Sequence, residues 1–104
     1  MYIVLYRFEV KLNESESFEK GWAGLTNLIY THEGSSGSRL HKKSETEYMA
    51  YAQWPNKNKF ETAGDNLPEK AEEFGELMRT SCSKIDILNK FDVVNDLLAE
   101  KPYE

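Results

Sequence analysis

The sequence predicts an α+β fold of the ferredoxin-like kind: a four-stranded antiparallel sheet, order β-α-β-β-α-β, with two helices on one face. Three observations lead there. Residues 2–11 and 47–54 alternate with the period of a strand, and residues 18–32 and 67–78 carry bulky apolar side chains at helical spacings of three and four. Turn-forming clusters at 33–38, 44–45, 55–58 and 64–68 separate these runs.

The first strand is "YIVLYRFEVK", with Tyr2, Val4, Tyr6, Phe8 and Val10 on one face and β-branched or aromatic types throughout. Asn13 and Glu16 have capping-box spacing, which predicts a helix starting at Asn13. Its apolar face comprises Phe18, Trp22, Leu25, Ile29 and His32, and Gly34 supplies the stop. "SRLHKK" and "TEYMAYAQW" flank the polar turn Ser44–Glu45 and read as a hairpin, across which Arg39, Lys42 and Lys43 can meet Glu45 or Glu47. Pro55 cannot donate to a ladder and ends the second hairpin strand, and Asn56 or Asn58 can cap a short turn carrying Phe60. "GDNLPEK" restarts a helix with Pro68 in its first turn. Leu67, Ala71, Phe74 and Met78, widened by Leu77 and Cys82, form its apolar stripe, while Gly75 suggests close packing on the sheet. The last strand is expected from Ile85, with an end that fits strand or short helix equally well.

The chain's 104 residues amount to one domain, residues 1–104. At that size folding hides only roughly two-thirds of the unfolded surface, so the core must be built from a few large side chains. Two Trp, five Phe and six Tyr supply them. A net charge of −5 opposes the counterion release that drives nucleic-acid affinity and gives no attraction to anionic lipid, so neither partner is expected. The apolar start Met1–Val10 is short and interrupted by Arg7 and Glu9, unlike a signal peptide, and no run is long enough to span a bilayer. The one cysteine, Cys82, rules out an internal disulfide and fits a reducing, cytoplasmic setting.

Two helices shelter one face of a sheet, yet Ile3, Leu5, Met49, Tyr51 and Val93 or Val94 offer apolar surface to the other. On a small chain such a patch marks an interaction surface, and the expected partner is a second copy stacked through the open sheet face. A one-residue shift of strand phase would exchange the two faces without removing the excess.

Phe18 and Trp22 on the first helix, the Glu33-Gly34 to Gly37 loop leading into Arg39-Leu40, and Tyr48 with Trp54 before an Asn-x-x-x-Phe turn are similar to a known pattern. With these features, over about residues 1–98, the chain resembles the antibiotic-biosynthesis monooxygenase-like family of dimeric α+β barrel proteins. The resemblance implies a ligand cavity between sheet and helices bordered by Trp54, with Tyr48, Tyr6 and Phe8 facing it and Phe18, Trp22 and Phe60 closing it. It also implies oxygenation of an aromatic or quinol-type small molecule with no cofactor or metal. The haem-degrading relatives require an Asn on the first strand and a His on the second helix. Here the strand positions are Tyr6 and Phe8, and no His follows His41.

The other chemistry-bearing residues have simpler explanations. His32 is placed as a general base or as a cap interacting with the helix dipole, and the dipole role needs fewer assumptions. His41 lies among Arg39, Lys42 and Lys43 on a polar strand, and neither histidine has a partner at a metal-ligating spacing. Cys82 reads as a small buried hydrophobe and the Glu-rich face of the second helix as solvated surface. No catalytic base is assigned. A binding or structural homodimer whose cavity holds a metabolite, or is filled by its own side chains, is the alternative reading.

Overall fold

A computed structural model describes residues 1–100. Its elements are β1 (Tyr2–Val10), α1 (Ser15–Glu33), β2 (Gly37–Lys42), β3 (Glu47–Trp54), α2 (Lys57–Glu61), α3 (Lys70–Thr80) and β4 (Cys82–Asp92). The four strands form one antiparallel sheet in the order β2-β3-β1-β4. This is the expected β-α-β-β-α-β plan, with the Phe60 turn appearing as the five-residue α2.

Register fixes the faces. Across the β1–β3 pair Tyr2 stands opposite Trp54, Val4 opposite Ala52, Tyr6 opposite Ala50 and Phe8 opposite Tyr48. These even-numbered side chains share the face beneath the helices. Tyr2, Val4, Phe8, Val10, Tyr48, Ala50 and Trp54 are all buried there. Phe8, Phe18 and Tyr48 make one aromatic cluster; Tyr2, Trp54 and Phe60 make another.

Several boundaries differ from expectation. Asn13 is not the N-cap: it turns through a left-handed φ of 67°, and the helix starts at Ser15 after Glu14 with no side-chain cap. Asn is one of the few non-glycine residues that adopts this conformation readily, so the residue serves the turn rather than the helix. His32 is exposed, and the inward residue at the end of α1 is Glu33. Gly34 does terminate α1, at a φ of 78°. Pro55 follows the last residue of β3, and Asn56 caps α2 by accepting a hydrogen bond from Lys59 N at 2.9 Å. The helix after Pro68 begins at Lys70. Cys82 belongs to β4, opposite Val10, because a small apolar side chain satisfies either periodicity. That strand therefore starts three residues before Ile85, and its register shifts opposite Leu5/Tyr6.

The glycines that permit close packing are in α1, not at Gly75. An added Cβ on Gly21 would lie 2.7 Å from the Met78 amide nitrogen and 2.9 Å from the Phe74 carbonyl oxygen. At Gly24 it would overlap the Phe74 ring at 2.4 Å. Helix α1 thus touches α3 backbone to backbone, and only residues lacking a side chain allow that separation.

The open sheet face is less uniform than expected. Ile3, Leu5, Met49 and Tyr51 are half-buried on it, and Phe91 is 46% exposed opposite Ile3. Its other end is ionic: Arg7 pairs with Glu9 at 3.0 Å and Glu47 at 2.8 Å. The bonds to the two carboxylates, that to Glu47 first, raise the Arg7 pKa and lower those of Glu47 and Glu9. Lys42 and Lys43 meet Glu45 and Glu47 near the hairpin turn, at 3.0 and 3.8 Å. Arg39 instead lies over the Tyr51 ring.

Candidate functional site

A cavity of about 150 Å³ lies between the sheet and the helices. The strands give Tyr6, Phe8, Ala52, Trp54 and Ile85; α1 gives Trp22, Leu25, Thr26 and Ile29; α3 gives Met78; and the loop into β2 gives Ser35, with Ser38 on β2 itself. Each follows from local structure. Strand alternation points Tyr6 and Phe8 under the helices, and Trp22, Leu25, Thr26 and Ile29 repeat along one side of α1.

Of the seven residues placed at a cavity from the sequence, the structure brings four together around it: Tyr6, Phe8, Trp22 and Trp54. Phe18 and Tyr48 lie in the packed interior, 0% and 1% exposed, with ring centroids 5.0 Å apart. Tyr48 Oη donates to Glu19 Oε2 at 2.9 Å, and burial first, then this bond, raises the phenol's pKa. Phe60 packs on Tyr2 and on the edge of Trp54, outside the cavity wall. Sequence alternation identifies a face but not how far along it a hollow lies. Leu25 and Ile29 were visible as an inward stripe; Thr26, Ser35 and Ser38 had no such signal.

The wall carries no ionised side chain. Ser35 Oγ donates to Gln53 O and accepts from Gly37 N, while Ser38 Oγ donates to Tyr51 O at 2.8 Å, so both hydroxyls serve the backbone. Burial raises the Tyr6 phenol above its ordinary value, which keeps it protonated at neutral pH and makes it a donor rather than a base. The Trp54 indole is 4% exposed, and its Nε1–H is buried without a hydrogen-bond partner among the described residues. An unmet buried donor costs about 1–3 kcal/mol, and the nitrogen lies beneath the surface of the cavity wall rather than on it.

Cys82 and His41 do not contribute. Burial pushes the Cys82 thiol up to about 11, which suppresses the reactive thiolate. His41 is exposed on the open face and stacks on Tyr51 with centroids 5.7 Å apart. Among the described residues no cluster of three or more His, Cys, Asp or Glu is arranged to hold a metal ion. No helix among them is long and apolar enough to cross a membrane.

Glu33 was missed from sequence because an acid at a helix end reads as solvated. It is 7% exposed, and its carboxylate accepts from the backbone N–H groups of Gly64 and of Asn66, the latter at 3.0 Å. This ties the end of α1 to the loop between α2 and α3. The Gly64 bond first, then the Asn66 bond, outweigh the cost of burial and hold the carboxyl below its ordinary value of 4.5. A lowered native pKa makes the stabilisation complete above the unfolded value and progressively lost as pH falls through the native one. Glu33→Gln is therefore expected to lower the urea midpoint at pH 7 and to reduce its slope against pH below 4.5; an unchanged acid profile would contradict the clamp.

No family model matches the sequence, and neither does any curated protein. Solved structures do match in fold. SnoaB, a cofactor-independent oxygenase from Streptomyces nogalater, is 16% identical with a TM-score of 0.71, over 92% of this chain and 95% of that one. A Caulobacter crescentus protein provisionally named an antibiotic biosynthesis monooxygenase is 17% identical with a TM-score of 0.73, over 90% of each chain. NE2512 from Nitrosomonas europaea, a protein of unknown function, is 13% identical with a TM-score of 0.71, over 95% of this chain and 94% of that one. At these identities the likeness is one of fold, and it matches the architecture expected from the sequence.

Proposed function

We propose that the protein is a monooxygenase working without metal or flavin on a phenolic or quinol-type molecule bound between sheet and helices. The observation that carries this reading is the apolar cavity between sheet and helices, walled by the aromatic side chains of Tyr6, Phe8, Trp22 and Trp54. A flat aromatic ring with an oxygen substituent fits such walls. SnoaB, which shares the fold, is a cofactor-independent oxygenase.

The chemistry needs no external reductant. The bound phenol loses its hydroxyl proton to solvent water at the open side of the cavity, and the electron-rich ring carbon ortho or para to it bonds to one atom of O2; the outer peroxide oxygen takes up a proton. The O–O bond then breaks as that carbon gives its own proton to solvent, leaving a ring carbonyl and a hydroxide that takes up the second proton as water. All four electrons come from the substrate. The chain's part is to orient the ring between the aromatic walls and limit the access of water. Tyr6 and Thr26 carry neutral hydroxyls on the wall that can donate to the phenolate oxygen.

Oxygen uptake across a panel of quinols and polyphenols tests the reading. Uptake above buffer, falling at least about tenfold in kcat/KM for Trp54→Phe, is expected because the smaller ring leaves the wall incomplete and the substrate misplaced. No uptake across the panel, or a Trp54→Phe variant equal to the unmodified protein, would overturn it. A non-catalytic binding protein is the second reading, favoured by the absence of an ionised side chain from the wall. It predicts stabilisation by ligand, about 2.7 kcal/mol at a hundredfold excess over Kd, without oxygen consumption.

The working unit under this proposal is a homodimer joined through the open sheet face, and a cytoplasmic setting suits the single reduced cysteine.

A further inference from the structure

We infer that residues 93–98 are a clasp for a second copy of this chain: in the dimer they leave the sheet of one copy and lay Val94, Leu97 and Leu98 on the uncovered face of the other. This rests on the homodimer proposed above and deepens it by naming the segment that secures it. Among the described residues neither helix nor strand follows Asp92. Yet Val94, Leu97 and Leu98 are 96%, 87% and 70% exposed, three large aliphatic side chains within five residues. Apolar residues scattered singly over a surface need no explanation, whereas a contiguous group marks a contact.

The segment is placed for that contact. Val93 N donates to Met1 O at 2.9 Å, so the chain leaves the sheet beside the start of β1. Beyond that bond, Asp96, Leu97 and Leu98 face Ile3, Tyr51 and Gln53 across a cleft of about 470 Å³. A strap serving its own sheet would bury its leucines there; these stay in water. Ile3 and Tyr51 belong to the apolar half of the open face, so segment and face form one continuous surface. Area makes the same demand, since a stable interface hides about 800 Å² per partner. Ile3, Leu5, Met49 and Tyr51 are already half-buried by their own neighbours, whereas the three aliphatics of the segment would bring most of their surface. Val94, Leu97 and Leu98 have the spacing of one helical turn, so ordering on a partner would set all three on one side. The segment's charges, Asp96 and Glu100, are repelled by anionic lipid, which leaves a protein as occupant. They suit a face whose β2 edge carries Arg39 over Tyr51. A two-fold pairing makes the exchange reciprocal.

Sedimentation equilibrium of the full chain tests the clasp, with the double variant Leu97→Ser/Leu98→Ser and, independently, Val94→Ser. These side chains are exposed in the single chain, so the circular-dichroism spectrum should not change. The double variant is expected to raise the dimer dissociation constant at least tenfold, and Val94→Ser to raise it by less. Amide hydrogen exchange over residues 94–98 of the unmodified chain is expected to slow as concentration rises through that constant. A double variant that associates as tightly as the unmodified chain, or more tightly, overturns the clasp, as does exchange that does not slow. If Leu5→Asp still yields a monomer in that case, the clasp fails while the homodimer stands. If the unmodified chain is a monomer at high micromolar concentration, the homodimer fails and takes the clasp with it.

Discussion

Phe18→Ala is expected to destabilise the protein by about 3–5 kcal/mol, read as a lower urea midpoint with an unchanged m value. The side chain is 0% exposed and touches two rings that cannot follow it, Phe8 from the central strand β1 and Tyr48 from β3. Both are fixed by a sheet whose register is set over eight paired residues, and Tyr48 is further tied to Glu19. The void therefore stays open, and the lost transfer energy is joined by a cavity penalty. Small domains have only about 5–15 kcal/mol in total, so a loss of this size removes a large fraction of it. Phe18→Leu retains most of the volume and should cost less than about 1.5 kcal/mol. A Phe18→Ala loss below about 1 kcal/mol would show that the first helix is not anchored there.

Phe18 also shows where sequence reading succeeds and where it stops. The helical spacing of Phe18, Trp22, Leu25 and Ile29 correctly puts all four on the inward side of α1. Depth along the helix is a tertiary property: Phe18 meets the packed aromatic end of the sheet, whereas Trp22 and Ile29 stand over a hollow. Local punctuation was readable because it is local chemistry. Gly34 supplies a left-handed stop, Pro55 a missing donor and Asn56 a cap. Gly21, Gly24 and Glu33 were not readable, since their meaning comes from partners far along the chain: the α3 backbone for the glycines, loop amides at 64 and 66 for the acid. Asn13 misled for the opposite reason. Its spacing to Glu16 imitates a capping box, while its ability to adopt a positive φ is what the β1–α1 turn uses.

Under the proposed dimer, Leu5→Asp is expected to leave a monomer with its secondary structure intact. Leu5 lies on the central strand, opposite Tyr51 on one side and Asn89 on the other, within the apolar half of the face the helices leave uncovered. A two-fold axis near this point would set Ile3, Leu5, Met49 and Tyr51 of one copy against the same residues of the other, as an isologous interface requires. The Arg7–Glu9–Glu47 group adjoins this patch, with Arg7 directly across from Met49, and runs away from it toward Glu9 and Glu47, so its near edge meets the interface while its carboxylates can stay at a wet rim. An aspartate at position 5 has no such escape. Burying it unpaired costs about 3–5 kcal/mol, a weakening of association of roughly a hundred- to a thousandfold or more. Sedimentation at micromolar concentration reads the difference, with far-UV circular dichroism confirming the fold and Tyr51→Asp repeating the test from the neighbouring strand. An unmodified chain that sediments as a monomer at high micromolar concentration would leave the apolar half of the face exposed to water, and the dimer proposal would have to be abandoned.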